Sequence, residues 1–219
     1  MKRLLCIVSS MDRGGAETFL MKVYRCLDKS KYQIDFCVSK KNKGFYDDEI
    51  KKMGGKIFYV PPKSKNPFKS FFEIKKLVKK EKYDSVLRTS QQSLATLDLL
   101  ASKLGGASKL IYRSSNAGVT NGKFINKVFG FLPKVIPNVK IAPSTEAAEF
   151  VFGKIAVKNN KVTILHNALN YDDFKFNEKN RDKIRTELNV GNKTLYGHVG
   201  RLNKQKNHMF LLSIFEEIL

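Results

Sequence analysis

Residues 4–17 read Leu-Leu-Cys-Ile-Val-Ser-Ser-Met-Asp-Arg-Gly-Gly-Ala-Glu, and the way this stretch is read decides the fold. A short apolar strand, Leu4 to Ser9, runs through Asp12-Arg13 into two adjacent glycines and then at once into good helix formers. Gly14 and Gly15 admit two readings. One is a tight strand-to-helix turn that needs positive φ; the other is bare backbone that lets an anion approach the free N–H groups at the helix start. Known phosphate loops do not decide between them. A dinucleotide fingerprint needs G-x-G-x-x-G and a P-loop needs Lys-Ser/Thr after its glycines, and neither pattern is present.

The same strand-then-helix unit repeats outward from this point. Strand-like runs occur at Leu4 to Ser9, Gln33 to Val38, Lys56 to Val60, Ser85 to Arg88, Lys109 to Tyr112, Val139 to Ala142 and Val162 to Leu165, with helical patterns in most intervals. Short apolar strands separated by helices form parallel sheets covered on both faces, so the expected fold class is α/β, a doubly wound, Rossmann-like parallel sheet. Helix boundaries agree. Pro143-Ser144-Thr145-Glu146 offers a hydroxyl cap with an acid in the first turn, and Gly54-Gly55 and Gly105-Gly106 close helices before new strands.

After Leu165 come His-Asn-Ala-Leu-Asn-Tyr-Asp-Asp-Phe, a polar helix near Lys179 to Leu188, a strand-like Thr-Leu-Tyr-Gly-His-Val-Gly and a last helix. One βα unit cannot bury its own faces. The expected organisation is therefore a domain over residues 1–165, a linker and helix over 166–193, and over 194–219 the first unit of a truncated second α/β domain.

The formal charge of +21 favours anionic partners. Lysines are dense from Lys63 to Lys82, where Phe68, Phe71, Phe72, Leu77 and Val78 fall near one stripe of a helix. This segment reads either as a helix packed on the sheet with a solvated lysine face, or as a face for an anionic membrane surface. No apolar run is long enough to span a bilayer, which places the expected location in the cytoplasm, peripheral at the inner face of the cell membrane if the lysine face docks there. Cys6, Cys26 and Cys37 lack metal-ligand spacing and read as buried reduced thiols; His166, His198 and His208 make no metal site.

A second basic element is Val199-Gly200-Arg201-Leu202-Asn203-Lys204-Gln205-Lys206-Asn207. Arg201 and Lys206 are spaced so that both cations reach one diphosphate beside the next helix start, although such a loop is also an ordinary solvated turn.

With these residues in view, the chain resembles glycosyltransferase family 4, of the GT-B architecture. The resemblance rests on Gly14 to Glu17 (GGAE), Ala142 to Gly153 (APSTEAAEFVFG), the interdomain ILHNALNYDDF and VGRLNKQKN. It implies two Rossmann-like domains facing a cleft, a nucleotide-sugar donor held mainly by the second, and a glycan or lipid-linked acceptor held mainly by the first, in cell-surface polysaccharide synthesis. Residue by residue, Gly14 and Gly15 would lie against the donor diphosphate, and Arg201 and Lys206 would neutralise it as the glycosidic bond breaks. Transfer would be retaining, with no metal and no cofactor beyond the donor substrate. The family's paired glutamates would fall beyond residue 219, so this stretch alone is expected not to turn over.

There are departures from the family pattern. Where relatives often carry His-x-His-Asn near the acceptor, this chain has Tyr112-Arg113-Ser114-Ser115-Asn116, and Ala168 and Asn170 stand where Gly and Asp are common. Arg113, with Ser115 and Asn116, is then the acceptor-side candidate: Arg113 meets an anionic acceptor such as a lipid diphosphate, or else is a solvated strand-end residue. Rival readings are a nucleotide-sugar 2-epimerase of the same architecture, which would need acid/base residues acting on the sugar, and a basic nucleic-acid-binding module. No aromatic RNA-binding signature, zinc spacing or helix-turn-helix supports the latter, and no nucleic-acid partner is expected.

Overall fold

A computed structural model describes residues 1–40, 42–115, 128–200, 202 and 204–218. The chain divides into two compact units, Met1–Ala168 and Leu169–Leu219.

The first unit holds seven strands: β1 (Lys2–Val8), β2 (Tyr32–Val38), β3 (Ile57–Tyr59), β4 (Ser85–Thr89), β5 (Lys109–Arg113), β6 (Val139–Ala142) and β7 (Thr163–Ile164). They form one sheet in the order β3-β2-β1-β4-β5-β6-β7, and every neighbouring pair is parallel. Each of the seven strand-like runs between Leu4 and Leu165 corresponds to one of them.

The helices of this unit are α1 (Gly15–Cys26), α2 (Asp47–Lys52), α3 (Pro67–Glu81), α4 (Leu97–Leu104), α5 (Leu132–Val135), α6 (Thr145–Phe152) and α7 (Lys154–Lys158). Alternate residues of β1 feed two cores. Leu5 and Ile7 join Ile74, Val78, Leu99 and Tyr112 on one side of the sheet, while Cys6 and Val8 join Leu20, Met21, Tyr24 and Phe36 on the other. Period-two side-chain alternation thus covers both faces of the sheet with helices. Full burial of each large apolar side chain contributes about 1.5–3 kcal/mol.

Caps follow the sequence reading. Ser144 Oγ accepts from Ala147 N at 3.3 Å at the head of α6, and Gly54 and Gly106 adopt φ of +84° and +107° just past α2 and α4.

Helix α3 departs from its expected stripe. The innermost ridge is Ser70, Ile74 and Val78, with Phe71 and Leu77 packed beside it, whereas Phe68 and Phe72 are 78% and 61% exposed. Close approach to the end of α4 explains the choice. A Cβ on Gly105 would lie 2.7 Å from Lys75 O and 2.9 Å from Val78 Cβ, so small and branched side chains must occupy the contact and the larger rings are displaced. The helix starts on an Asn66 cap, whose side chain accepts from Lys69 N at 2.9 Å, with Pro67 in the first turn. It ends on Lys82, held left-handed at φ 54°. Because a non-glycine residue there carries strain, Lys82→Gly is expected to stabilise the unit by roughly 0.5–1 kcal/mol, net of glycine's greater unfolded-state entropy. Urea denaturation at equal m-value measures this, and a loss of stability contradicts it.

The second unit contains α8 (Glu178–Glu187) and α9 (His208–Ile218), neither of which buries a residue. The strand expected across the Thr-Leu-Tyr-Gly-His-Val-Gly run is not formed: residues 194–200 carry no ladder, since an extended segment becomes a strand only against a hydrogen-bonded neighbour. Tyr196 instead packs edge-on to Phe215, ring centres 5.9 Å apart.

Candidate functional site

Strand order locates the site within the first unit. The chain leaves β1 towards β2 and β3 and returns on the other flank of β1 as β4, so the direction of winding reverses between β1 and β4. In open parallel sheets, ligands bind outside the carboxyl ends of the strands at this switch.

The β1–α1 loop lies there. Gly14 is extended, with φ −136° and ψ 161°, and neither Gly14 nor Gly15 has positive φ among the described backbone. The tight-turn reading of the glycine pair therefore fails. At Gly15 a Cβ would find nothing within 4 Å, and α1 begins without a side-chain cap. The first-turn N–H groups of a helix have no intrahelical acceptor, and this end carries the positive end of the helix dipole. Gly14 N donates to Asp12 O at 2.9 Å, Thr18 N closes the first turn on Gly14 O at 2.8 Å, and the Glu17 carboxylate lies against Gly14, where a Cβ would collide with it. The loop is braced from the neighbouring β2–α2 connection. Lys40 Nζ pairs with Asp12 Oδ2 at 3.0 Å, Phe45 N donates to Asp12 Oδ1 at 3.3 Å, and the Arg13 guanidinium lies 3.8 Å over the Phe45 ring. The Lys40 bond chiefly holds the Asp12 carboxyl below its usual range.

Arg113 is a second, independent element. It ends β5 and is 2% exposed, so the solvated strand-end reading is corrected. Its guanidinium stacks 3.9 Å from the centre of Phe19 on α1, and Nη2 donates to Asn167 Oδ1 at 2.8 Å. No carboxylate pairs with it among the described residues, and its buried Nε lacks a hydrogen-bond partner. Burial alone pushes its pKa down, which marks a cation held without compensation. The neighbouring Ser114 is fully buried with Oγ likewise unpartnered, a residue not singled out from sequence. Ser115 is exposed. Asn116 and Arg201 lie outside the described residues. Lys206 is exposed, in a 3-10 turn over Lys204–Lys206.

A cavity of about 540 Å³ opens at the same edge of the sheet, lined by Ser9, Ser39, Lys63, Arg88, Gln92 and Asp98 among others. Asp98, 2% exposed, lies 2.7 Å from Lys63 Nζ through Oδ1 and 2.8 Å from Arg88 Nε through Oδ2. Arg88 Nη1 also donates to the carbonyls of Ile7 at 2.9 Å and Thr89 at 3.0 Å, which anchors the end of β1. Burial lowers the Lys63 pKa and Asp98 opposes that shift. Sequence carried a signal for this triad that went unread: Arg88 and Asp98 interrupt apolar runs, and a charge inside an apolar segment is usually paired when buried.

The amino edge of the sheet contrasts with this. There Arg3 Nη2 meets Asp35 Oδ2 at 2.6 Å and Glu81 Oε2 at 3.3 Å, and Tyr83 Oη donates to Asp35 Oδ2 at 2.6 Å. Two carboxylates face Arg3 and the more exposed Lys56, which pairs with Glu81 Oε2 at 3.3 Å, so cation and anion balance at that end. Formally uncompensated buried cationic charge belongs to the carboxyl edge.

The remaining singled-out residues are peripheral to this arrangement. Cys6 and Cys37 are buried, and burial raises both thiol pKa values; Cys26 is exposed, contrary to expectation, because it closes α1 on its outer side. His166 Nδ1 sits 3.0 Å from Pro143 O, and His198 and His208 stack edge-on at 5.0 Å. Among the described residues, no group of three His, Cys, Asp or Glu side chains could hold a metal ion.

Comparison with known proteins bears on the family and the fold. EpsF of Bacillus subtilis strain 168, assigned as a glycosyltransferase, is 30% identical over 97% of this chain and 57% of its own length. The capsular polysaccharide biosynthesis glycosyltransferase CapH of Staphylococcus aureus is 26% identical over 99% of this chain and 58% of its own. The chain thus spans less than two thirds of these relatives. Anabaena HepE, crystallised with UDP-glucose, superposes with a TM-score of 0.75 at 17% identity over 99% of this chain and 58% of HepE, a likeness of fold. The model of the glycosyl transferase 4-like family matches residues 6–136, the span from the second half of β1 through β5 that includes the glycine pair and Arg113, and the chain belongs to that family.

Proposed function

We propose that this chain serves glycosyl transfer from a nucleotide-sugar donor to a glycan or lipid-linked acceptor in polysaccharide assembly. The observation that carries the reading is Arg113, a buried cation without a carboxylate, at the edge of the sheet where α1 begins uncapped. Holding such a charge dry costs several kcal/mol, and a substrate anion repays that cost. Support comes also from CapH, a relative assigned to capsular polysaccharide biosynthesis, and from the UDP-glucose seen in HepE.

In this reading the donor diphosphate lies against the backbone at Gly14 and Gly15, with the Gly14 N–H already given to Asp12 O at 2.9 Å and the first-turn amides of α1 as the donors. Arg113, with Ser114 and Ser115 beside it, faces the phosphate of a lipid-linked acceptor. Arg201 and Lys206 meet the negative charge that develops on the leaving nucleoside diphosphate, so that fixed cations and dipoles lower the barrier without a metal, and the sugar is transferred with retention. The reaction takes place on the cytoplasmic side, where nucleotide sugars are supplied.

The test uses the protein that carries this chain with radiolabelled UDP-, GDP- and dTDP-sugars and lipid-phosphate acceptors. The expected result is label in the lipid fraction with matching release of nucleoside diphosphate, unaffected by EDTA. A sugar epimer formed without an acceptor would assign the protein to 2-epimerisation instead, and no reaction with any donor would remove the reading. Within this scheme Gly15→Val should leave thermal stability unchanged, because a Cβ there meets nothing. It should raise the donor KM about tenfold, the scale of one lost backbone hydrogen bond. An unchanged KM would take the diphosphate away from α1.

A further inference from the structure

We infer that the outward face of α3 is a docking surface for an anionic lipid bilayer. The inference goes beyond the transfer reaction and stands on different residues. In the sequence alone, the phenylalanines of this segment were all candidates for covering the sheet. The structure divides them: Phe71 packs inward, while Phe68 and Phe72 point away from the core, 78% and 61% exposed. Four residues apart, the two rings share one helix face. Phe72 is held in place by an edge-on contact with Phe71, ring centres 5.8 Å apart, so one of the outward rings is braced from the core.

Lysines encircle this pair. At 100° per residue, Lys75, Lys76 and Lys79 fall on the same face as the two rings and Lys69 and Lys80 on its margins, and all but the half-buried Lys75 are exposed. Among the described residues none of these five lysines forms an ion pair. Glu81, the acid at the end of the helix, is turned to Arg3 and Lys56, and Glu73 is half-buried. The face is therefore apolar at its centre and cationic around it, within a chain of formal charge +21.

Charge complementarity selects the occupant. Lysine is depleted from the cores of protein–protein interfaces, whereas aromatic residues at headgroup depth with lysines reaching to anionic lipid are the pattern of interfacial helices. No described helix is long and apolar enough to cross a membrane, so the contact lies at the surface of the bilayer. The Asn66 cap and Pro67 fix the start of the helix, so the face is formed before it meets lipid.

Vesicle co-sedimentation tests this with the whole protein, comparing phosphatidylglycerol-containing vesicles with pure phosphatidylcholine. Binding is expected to the anionic vesicles, weakening as salt rises. The variant carrying Lys75→Glu, Lys76→Glu, Lys79→Glu and Lys80→Glu should lose at least about tenfold in partitioning. Phe68→Ser with Phe72→Ser should also lose about tenfold, with unchanged thermal unfolding because both rings are outside the core. Equal partitioning to neutral and anionic vesicles overturns the proposal, as does unaltered binding of the lysine variant. If the phenylalanine variant binds as well as the parent, the lysines adsorb by charge alone and the docking face is refuted. Capture of a single-stranded oligonucleotide that is lost in both variants, without vesicle binding, would reassign the face to nucleic acid and overturn it equally.

Discussion

Arg113→Met is expected to lower kcat/KM for an anionic acceptor by about 10²-fold or more, the usual effect of removing a fixed charge aimed at a reacting anion, and at the same time to leave the protein at least as stable. The two outcomes together are diagnostic. Arg113 is buried, its charge faces no described carboxylate, and among the described residues its side chain donates to Asn167. Replacing it with a flexible apolar side chain of similar reach keeps contact with Phe19 and removes the cost of a dry charge. If Arg113 served packing alone, the variant would lose stability and keep its rate. Arg113→Lys should bring back the cost of a buried charge and recover little of the rate, since a point charge cannot reproduce the planar fork or the stacking on Phe19. Steady-state kinetics with acceptor varied, alongside thermal unfolding, separates these outcomes, and an unchanged rate in Arg113→Met would remove Arg113 from the site.

Asp98→Ala is expected to destabilise the first unit by about 3 kcal/mol or more, because it strands buried cations. Of its two partners Arg88 suffers more: its side chain is 11% exposed against 31% for Lys63, so the lysine can turn to water and the arginine cannot. The effect should spread to the site. Arg88 also holds the carbonyl of Ile7 at the end of β1, two residues before the loop that leads to Gly14, so the variant should bind the donor more weakly even where it remains folded. Urea unfolding of Asp98→Ala and Asp98→Asn gives the comparison. The amide, which keeps an acceptor for one cation but turns an NH2 donor to the other, should cost somewhat less. Losses under about 1 kcal/mol in the alanine variant, the range of an exposed ion pair, would show that the triad is effectively solvated.

The arrangement of strands was legible because parallel strands dry on both faces are rich in apolar residues, and all seven were short, mostly apolar runs separated by polar or helical segments. What sequence could not convey was which side chains of a helix are innermost. The phenylalanines of α3 suggested a stripe, but the close approach of Gly105 made Ser70, Ile74 and Val78 the contact ridge. Burial of Arg113 was equally hidden, since it depends on Phe19 from α1 and Asn167 from beyond β7. The glycine pair was identified as significant, yet its conformation was open until Gly14 proved extended. In the second unit, apolar alternation suggested a strand over residues 194–200, and pattern alone cannot supply the neighbour that a ladder requires.

The central claim is that phosphate binds at the uncapped start of α1, at the carboxyl edge of the sheet. Hydrogen exchange of the amides from Gly14 to Thr18, followed by mass spectrometry with and without the nucleotide sugar that supports transfer, tests it most directly. In the free protein the first-turn amides between Gly14 and Thr18 lack intrahelical acceptors and should exchange faster than Gly14 and Thr18, whose N–H groups bond Asp12 O and Gly14 O. Slowing of that segment by bound nucleotide sugar, diminished in Gly15→Val, is the predicted result. Nucleotide-sugar binding that leaves exchange from Gly14 to Thr18 unchanged would contradict it.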